Sequence, residues 1–248
     1  MEFKFLLSFL LMINGSIGNE LSIINNCSFP IWPGIQGKPG KAHYENGGFE
    51  LAQNETKIIN TSHDWAGKIW ARTNCDESGK CETGDCGNKI QCNGTGGVPP
   101  VTYAELTVRG WALIDYYHIS LVDGYNLPIR MTPTGGYKMT NGDEYDCTSA
   151  SCHTDLNTKC PTELAVNNSD GSTIACKSAC VAFDTDEYCC RGAYDSPQRC
   201  KSKNWPFNYP PIFKSACPSA YIYDYDNTPS LFACKGNFYT SYDIVFCP

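Results

Sequence analysis

The 248 residues contain no Cys-x-x-Cys pair, although they hold 16 cysteines. Structural zinc sites bring close ligand pairs of that kind, so the cysteines are not read as metal ligands. Histidine is scarce, and His43, His63 and His153 stand at no ligand spacing. No metal and no cofactor is expected. Beyond the N-terminus no apolar run is long enough to cross a bilayer. Positive charge is short as well: 19 Lys and Arg against 26 Asp and Glu leave a formal net charge of −7. Nucleic acid and anionic membrane both require a basic face, so neither is expected as a partner. No long amphipathic helix is visible before residue 145.

What is present begins with a leader. Residues 1–18 carry Lys4, an apolar run from Phe5 to Ile13, and then small residues. This is the pattern of a secretory signal peptide, with cleavage expected after Gly18, and it predicts a secreted, extracellular chain. In that oxidising compartment sixteen cysteines are best read as eight disulfides. Their connectivity does not follow from spacing. The densest group is Cys75, Cys81, Cys86 and Cys92, interleaved with Gly79, Gly84 and Gly87. Its simplest reading is two small covalent loops, Cys75–Cys81 and Cys86–Cys92, hinged at residues 83–85, where Asp85 and Asn88 suit turns.

Short apolar runs separated by Gly, Pro and Asn predict many strands. Leu21–Asn26 is one, and the proline-bearing run Phe29–Pro33 is edge-like. Residues 34–48 hold five glycines and a proline and are expected to be loop. Phe49–Ile59, Lys68–Thr73, Val101–Arg109, Trp111–Val122 and Ile129–Thr132 continue the β pattern. In Tyr117–Leu121, period-two alternation puts Tyr117, Ile119 and Leu121 on one face and His118 with Ser120 on the other. Most of the cysteines fall between Cys147 and Cys234, a stretch with few long apolar runs. A short helix is expected within Ser178–Cys190, and Tyr242–Cys247 reads as a last strand.

Several blocks together resemble the thaumatin-like proteins, the pathogenesis-related group 5 family. They are Lys68-Ile69-Trp70-Ala71-Arg72-Thr73-Asn74-Cys75, Cys81-Glu82-Thr83-Gly84-Asp85-Cys86-Gly87, Pro99-Pro100, Ala104-Glu105, Ile119 to Asn126, Glu187-Tyr188-Cys189-Cys190 and Tyr242 to Pro248. Glu77 is a departure, standing where the family signature has glycine. The resemblance covers residues 19–248 as one domain. It implies a mainly β fold: a flattened β-sandwich lobe (about 19–132 plus 235–248), a disulfide-rich lobe of loops and short helices (about 133–234), and a small third hairpin. The pairing it implies is Cys27–Cys247, Cys75–Cys81, Cys86–Cys92, Cys147–Cys234, Cys152–Cys217, Cys160–Cys176, Cys180–Cys189 and Cys190–Cys200.

The resemblance also implies a cleft between the lobes, with five polar residues that in the family run Arg, Glu, Asp, Asp, Asp. Matched by flanking motif they are Lys68, Glu105, His118, Asp123 and Asp226, so two of the five differ. Lysine keeps the charge of arginine without its planar fork. Histidine can donate, accept or carry charge where aspartate only accepts. The favoured reading is a defence-type protein whose acidic cleft binds β-1,3-glucan, a related polysaccharide or a cell-wall surface without turnover, acting as a monomer. The alternatives are a weak endo-β-1,3-glucanase, with Glu105 as general acid and Asp123 or Asp226 as its partner, and a cleft for a protein partner. Nearby carboxylates are expected to raise the His118 pKa, so that affinity varies between about pH 5 and 8. Glycosylation is expected at the sequons of Asn54, Asn60, Asn93 and Asn167, with Asn26 the weakest candidate because Cys27 follows it.

Overall fold

Alternate residues of the first strand go inward. Asn19, Leu21, Ile23 and Asn25 are buried, while Glu20 is exposed. That alternation marks a strand with one face on a core. The computed structural model describes residues 19–139, 142–226, 230–236 and 240–248. The signal-peptide reading of residues 1–18 lies outside them. The strands are β1 (Asn19–Asn25), β2 (Trp32–Gly37), β3 (Thr56–Thr61), β4 (Ala66–Cys75), β5 (Cys81–Thr83), β6 (Tyr103–Thr107), β7 (Asp115–Ser120), β8 (Ile129–Thr134), β9 (Ala150–Cys152), β10 (Ala165–Asn167), β11 (Thr173–Cys176), β12 (Phe232–Cys234) and β13 (Ser241–Phe246). Two short helices, α1 (Ala179–Phe183) and α2 (Pro210–Ala216), complete the regular structure.

One sheet has the order β3-β1-β13-β8-β9 and the other β12-β7-β6-β4-β2, with β5 paired to β4. Leu21, Ile23, Ile129, Met131, Tyr242 and Ile244 of the first sheet share a core with Ile35, Ile69, Ala104, Leu106, Tyr117 and Ile119 of the second. The Tyr117 and Tyr242 rings meet edge to face across the sandwich, 5.4 Å apart. Tyr242 Oη donates to the buried Asp115 Oδ2 at 2.8 Å, and Asp115 Oδ1 accepts from the Arg109 N–H at 2.7 Å. Both carboxylate oxygens therefore have donors, as a buried acid requires. From the cysteine-dense stretch, β9 and β12 join the two sheets. The rest of that stretch holds the β10–β11 hairpin and both helices.

All sixteen cysteines are bridged, in the eight pairs that the resemblance implies. The Cys75–Cys92 stretch forms its two covalent loops over the outer face of the six-stranded sheet. There Trp70 and Tyr103 pack with Cys86, Cys92 and Val101 in a second, smaller core. Arg72 is fully buried beneath it. Its guanidinium donates to the carbonyls of Trp32 (2.8 Å), Lys89 (2.8 Å) and Ile90 (2.7 Å), binding β2 and the disulfide loop to β4.

Three strand expectations change. Residues 34–37 belong to β2 rather than to a loop. Gly34 is there because Trp70 lies where its Cβ would be, 2.3 Å away. The expected strand Phe49–Ile59 reduces to β3, with Leu51 making a single bridge to Ile31. The run Trp111–Val122 becomes strand only at Asp115, because Trp111–Leu113 is a tight turn. The helix expected within Ser178–Cys190 is α1. Ser178 Oγ caps it by accepting from the Val181 N–H, and Asp184 in the left-handed region ends it.

Candidate functional site

Strand register assembles the site. On adjacent antiparallel strands Lys68 pairs with Glu105, and Glu105 with His118. The three side chains therefore form one row across β4, β6 and β7 on the outer face, opposite the core residues Ile69, Ala104 and Ile119. The next row is Tyr103 with Ser120. Lys68 Nζ sits 3.9 Å from the Tyr103 ring centroid, a cation–π contact. His118 Nε2 lies 3.8 Å from Glu105 Oε2, too far for a hydrogen bond.

A second segment closes over this row. Tyr221 bridges to Ser120: its N–H donates to the Ile119 carbonyl at 2.9 Å, and its carbonyl accepts from the Leu121 N–H at 2.7 Å. The Tyr221 ring then stands edge to face with His118, centroids 4.8 Å apart. Asp123 arrives on a turn in which the Gly124 N–H donates to the Leu121 carbonyl. Gly124 has φ +96, and a Cβ there would lie 2.6 Å from the Cys176 carbonyl oxygen, so the turn needs glycine. The result is a cleft of about 460 Å³ lined by Glu105, His118, Ser120, Val122, Asp123, Tyr221, Tyr223 and Asp224. A smaller depression of about 280 Å³ lies on the other side of Glu105, with Lys38 and Lys68 in its wall.

Four of the five expected residues are thus brought together: Lys68, Glu105, His118 and Asp123. Asp226 is not among the residues that line the cleft. Its side chain is 5% exposed and ion-paired with Lys214 at 2.9 Å, and its Oδ2 accepts from the Ile222 N–H at 3.0 Å. A carboxylate so engaged builds the 221–226 turn, and the acid that the turn presents to the cleft is Asp224. Sequence reasoning missed Asp224, Tyr221 and Tyr223. Alternation about the buried Ile222 was the signal for Tyr221 and Tyr223; the exposed Asp224, on a turn, had none. It also missed Lys38, which Gly34–Gly37 as strand carries to the rim.

Burial raises the Glu105 pKa above its ordinary value, with Lys68 and Lys38 opposing and Asp123 adding to the rise. The expectation for His118 reverses. Burial, and then the charge of Lys38, push the imidazole down to about 4. Taking the ring out of water disfavours its charged form, and no carboxylate is hydrogen-bonded to it to compensate. Near neutral pH the cleft therefore holds a neutral histidine beside a carboxyl group with raised proton affinity. Among the described residues no three His, Cys, Asp or Glu side chains gather as a metal site.

The thaumatin family model matches residues 25–248. The chain belongs to the thaumatin family. A pathogenesis-related thaumatin-like protein 3.5 of Cryptomeria japonica is 46% identical over 231 residues, covering 92% of this chain and 89% of its own. Pathogenesis-related protein 5 of Arabidopsis thaliana is 43% identical over 247 residues, with 97% and 96% covered. A protein of Prunus avium named glucan endo-1,3-beta-glucosidase is 42% identical over 244 residues, with 96% and 94% covered. The fold is also that of a laminaripentaose-producing beta-1,3-glucanase solved with laminaritetraose, at TM-score 0.59 and 11% identity over 94% of this chain and 99% of that one.

Proposed function

We propose that the cleft binds β-1,3-glucan or a related neutral polysaccharide, and that the protein is a secreted, N-glycosylated, monomeric defence protein. The observation that carries this reading is the composition of the cleft wall. Glu105, His118, Ser120, Asp123 and Asp224 offer donors and acceptors to sugar hydroxyls, while Tyr221 and Tyr223 offer aromatic surface. The name of the Prunus avium relative points to the same substrate class. Eight disulfides suit an oxidising, extracellular setting. Asn54, Asn60, Asn93 and Asn167 are all exposed, as glycan acceptors must be.

The raised Glu105 pKa favours a second reading, weak endo-glucanase activity. A glycosidase needs one carboxyl group that keeps its proton, and Asp123 or Asp224 would then be the ionised partner in place of Asp226. Pull-down on insoluble β-1,3-glucan alongside a reducing-sugar assay separates the readings. Retention without sugar release is the expected result. Release that Glu105→Gln abolishes would establish the enzyme, and no retention at all would reject the cleft reading. The variant should remain folded. Ionised Glu105 costs stability, because its folded pKa lies above the unfolded value; this cost is absent below about pH 4.3 and grows as the pH rises through the folded pKa. Glu105→Gln should therefore melt no lower than the wild type at pH 7.

A further inference from the structure

Ser120 and His118, alternate residues of β7, both line the cleft. The next residue of β7 on that face is Tyr116, about 7 Å beyond His118. Tyr116 pairs with Thr107 and is half-buried. Beyond it the β6–β7 hairpin ends in the turn 109–114. The Gly110 N–H donates to the Ile114 carbonyl at 2.8 Å, and the Ile114 N–H to the Trp111 carbonyl at 3.2 Å. Tyr116 packs against this turn: its Oη lies 3.5 Å from the Trp111 carbonyl oxygen, and its Cδ2 would be 3.2 Å from a Cβ on Gly110.

Trp111 is 82% exposed, whereas Trp32, Trp65, Trp70 and Trp205 are at most 9% exposed. Four tryptophans are thus core and the fifth stands in solvent. Its surroundings hold it there, because Arg109, Ala112 and Leu113 all adopt positive φ, a conformation that costs non-glycine residues free energy. A large aromatic face kept wet at such a cost is a surface for a partner that stacks. The partner that the geometry offers is the polymer leaving the cleft, since Tyr116 bridges the interval between His118 and Trp111.

We propose that Tyr116 and Trp111 form an aromatic stacking subsite at the open end of the cleft, which takes the sugar rings of a polysaccharide chain extending past Glu105 and His118. The inference rests on the cleft-binding reading above and adds a dependence on chain length. Short oligomers would occupy the cleft alone, whereas long ones would reach the hairpin tip and gain the stacking.

Trp111 supplies its own readout, because iodide in solution quenches the exposed indole and leaves the four buried ones largely untouched. A short and a long β-1,3-linked glucose oligomer would be titrated into wild type, Trp111→Ala and Trp111→Phe. The long oligomer should bind about tenfold more tightly than the short one and shield Trp111 from iodide. Trp111→Ala should abolish that advantage and leave the short oligomer unaffected, and Trp111→Phe should restore part of it. Equal affinity for the two lengths would overturn the subsite. So would an unchanged preference for the long oligomer in Trp111→Ala. Binding of neither oligomer would defeat the cleft reading, and the subsite with it.

Discussion

His118 shows how one position can be placed correctly and charged wrongly. Its face was legible from alternation, since Tyr117, Ile119 and Leu121 are fully buried and His118 is not. Its ionisation was not, because that depends on Tyr221, a residue more than a hundred positions away, which packs on the ring. With a folded pKa near 4 against about 6.5 unfolded, the neutral imidazole is the folded form. His118 therefore contributes stability that is present above about pH 6.5 and is lost as the pH falls toward 4. Nuclear magnetic resonance of the ring protons should show no titration midpoint between pH 5 and 8. In melts across pH 4 to 6.5, His118→Gln should flatten the decline seen in the wild type. A midpoint near 7 would restore the switch expected from sequence.

Among the elements, those with a repeating chemical pattern were the legible ones. β1, β7 and β13 set alternate apolar residues into the core, Leu21 and Ile23, Tyr117 and Ile119, Tyr242 and Ile244, whereas Gly34 and Gly37 of β2 look like loop until Trp70 is seen against Gly34 and the Lys41 and Ala42 carbonyls against Gly37. Helix α2 is only seven residues long and opens with two prolines, which suit a helix start and equally suit a turn. The 221–226 turn was the least legible, because its two aspartates differ in task and not in type. Asp226→Asn tests that division. It leaves Lys214, whose side chain is 18% exposed, without its carboxylate, and the loss should be about 3 kcal/mol of folding stability by denaturant titration. Asp224→Asn, on the exposed tip, should leave stability within about 0.5 kcal/mol of wild type and weaken glucan retention instead. The opposite pattern would return Asp226 to the cleft.

For the whole molecule the disulfides dominate. Their number was legible from the even count; outside the Cys75–Cys92 loops their partners came only with the family resemblance, because cysteines at irregular spacing admit too many connections. The bridges divide by reach. Cys75–Cys81 and Cys86–Cys92 each close a separation of 6 residues, whereas Cys147–Cys234 spans 87 and Cys27–Cys247 spans 220. Thiol quantification under denaturing, non-reducing conditions should find none, and full reduction should release all sixteen. A single reactive thiol in the unreduced protein would break the assignment.

The longest of these bonds lies beside the parallel pairing of β1 with β13, where Ile24 faces Val245 and Asn25 faces Phe246. Together they make residues 27–247 a covalent ring, outside which β1 runs on along β13. Such a ring responds to mechanical load unlike an open chain. Traction applied outside Cys27 and Cys247 bears on β1, which precedes Cys27, while the sulfur–sulfur bond shields the strands between the two cysteines. Cutting any one exposed loop between them would open the ring without separating the pieces, since the ends of the cut chain would still be joined at the seam.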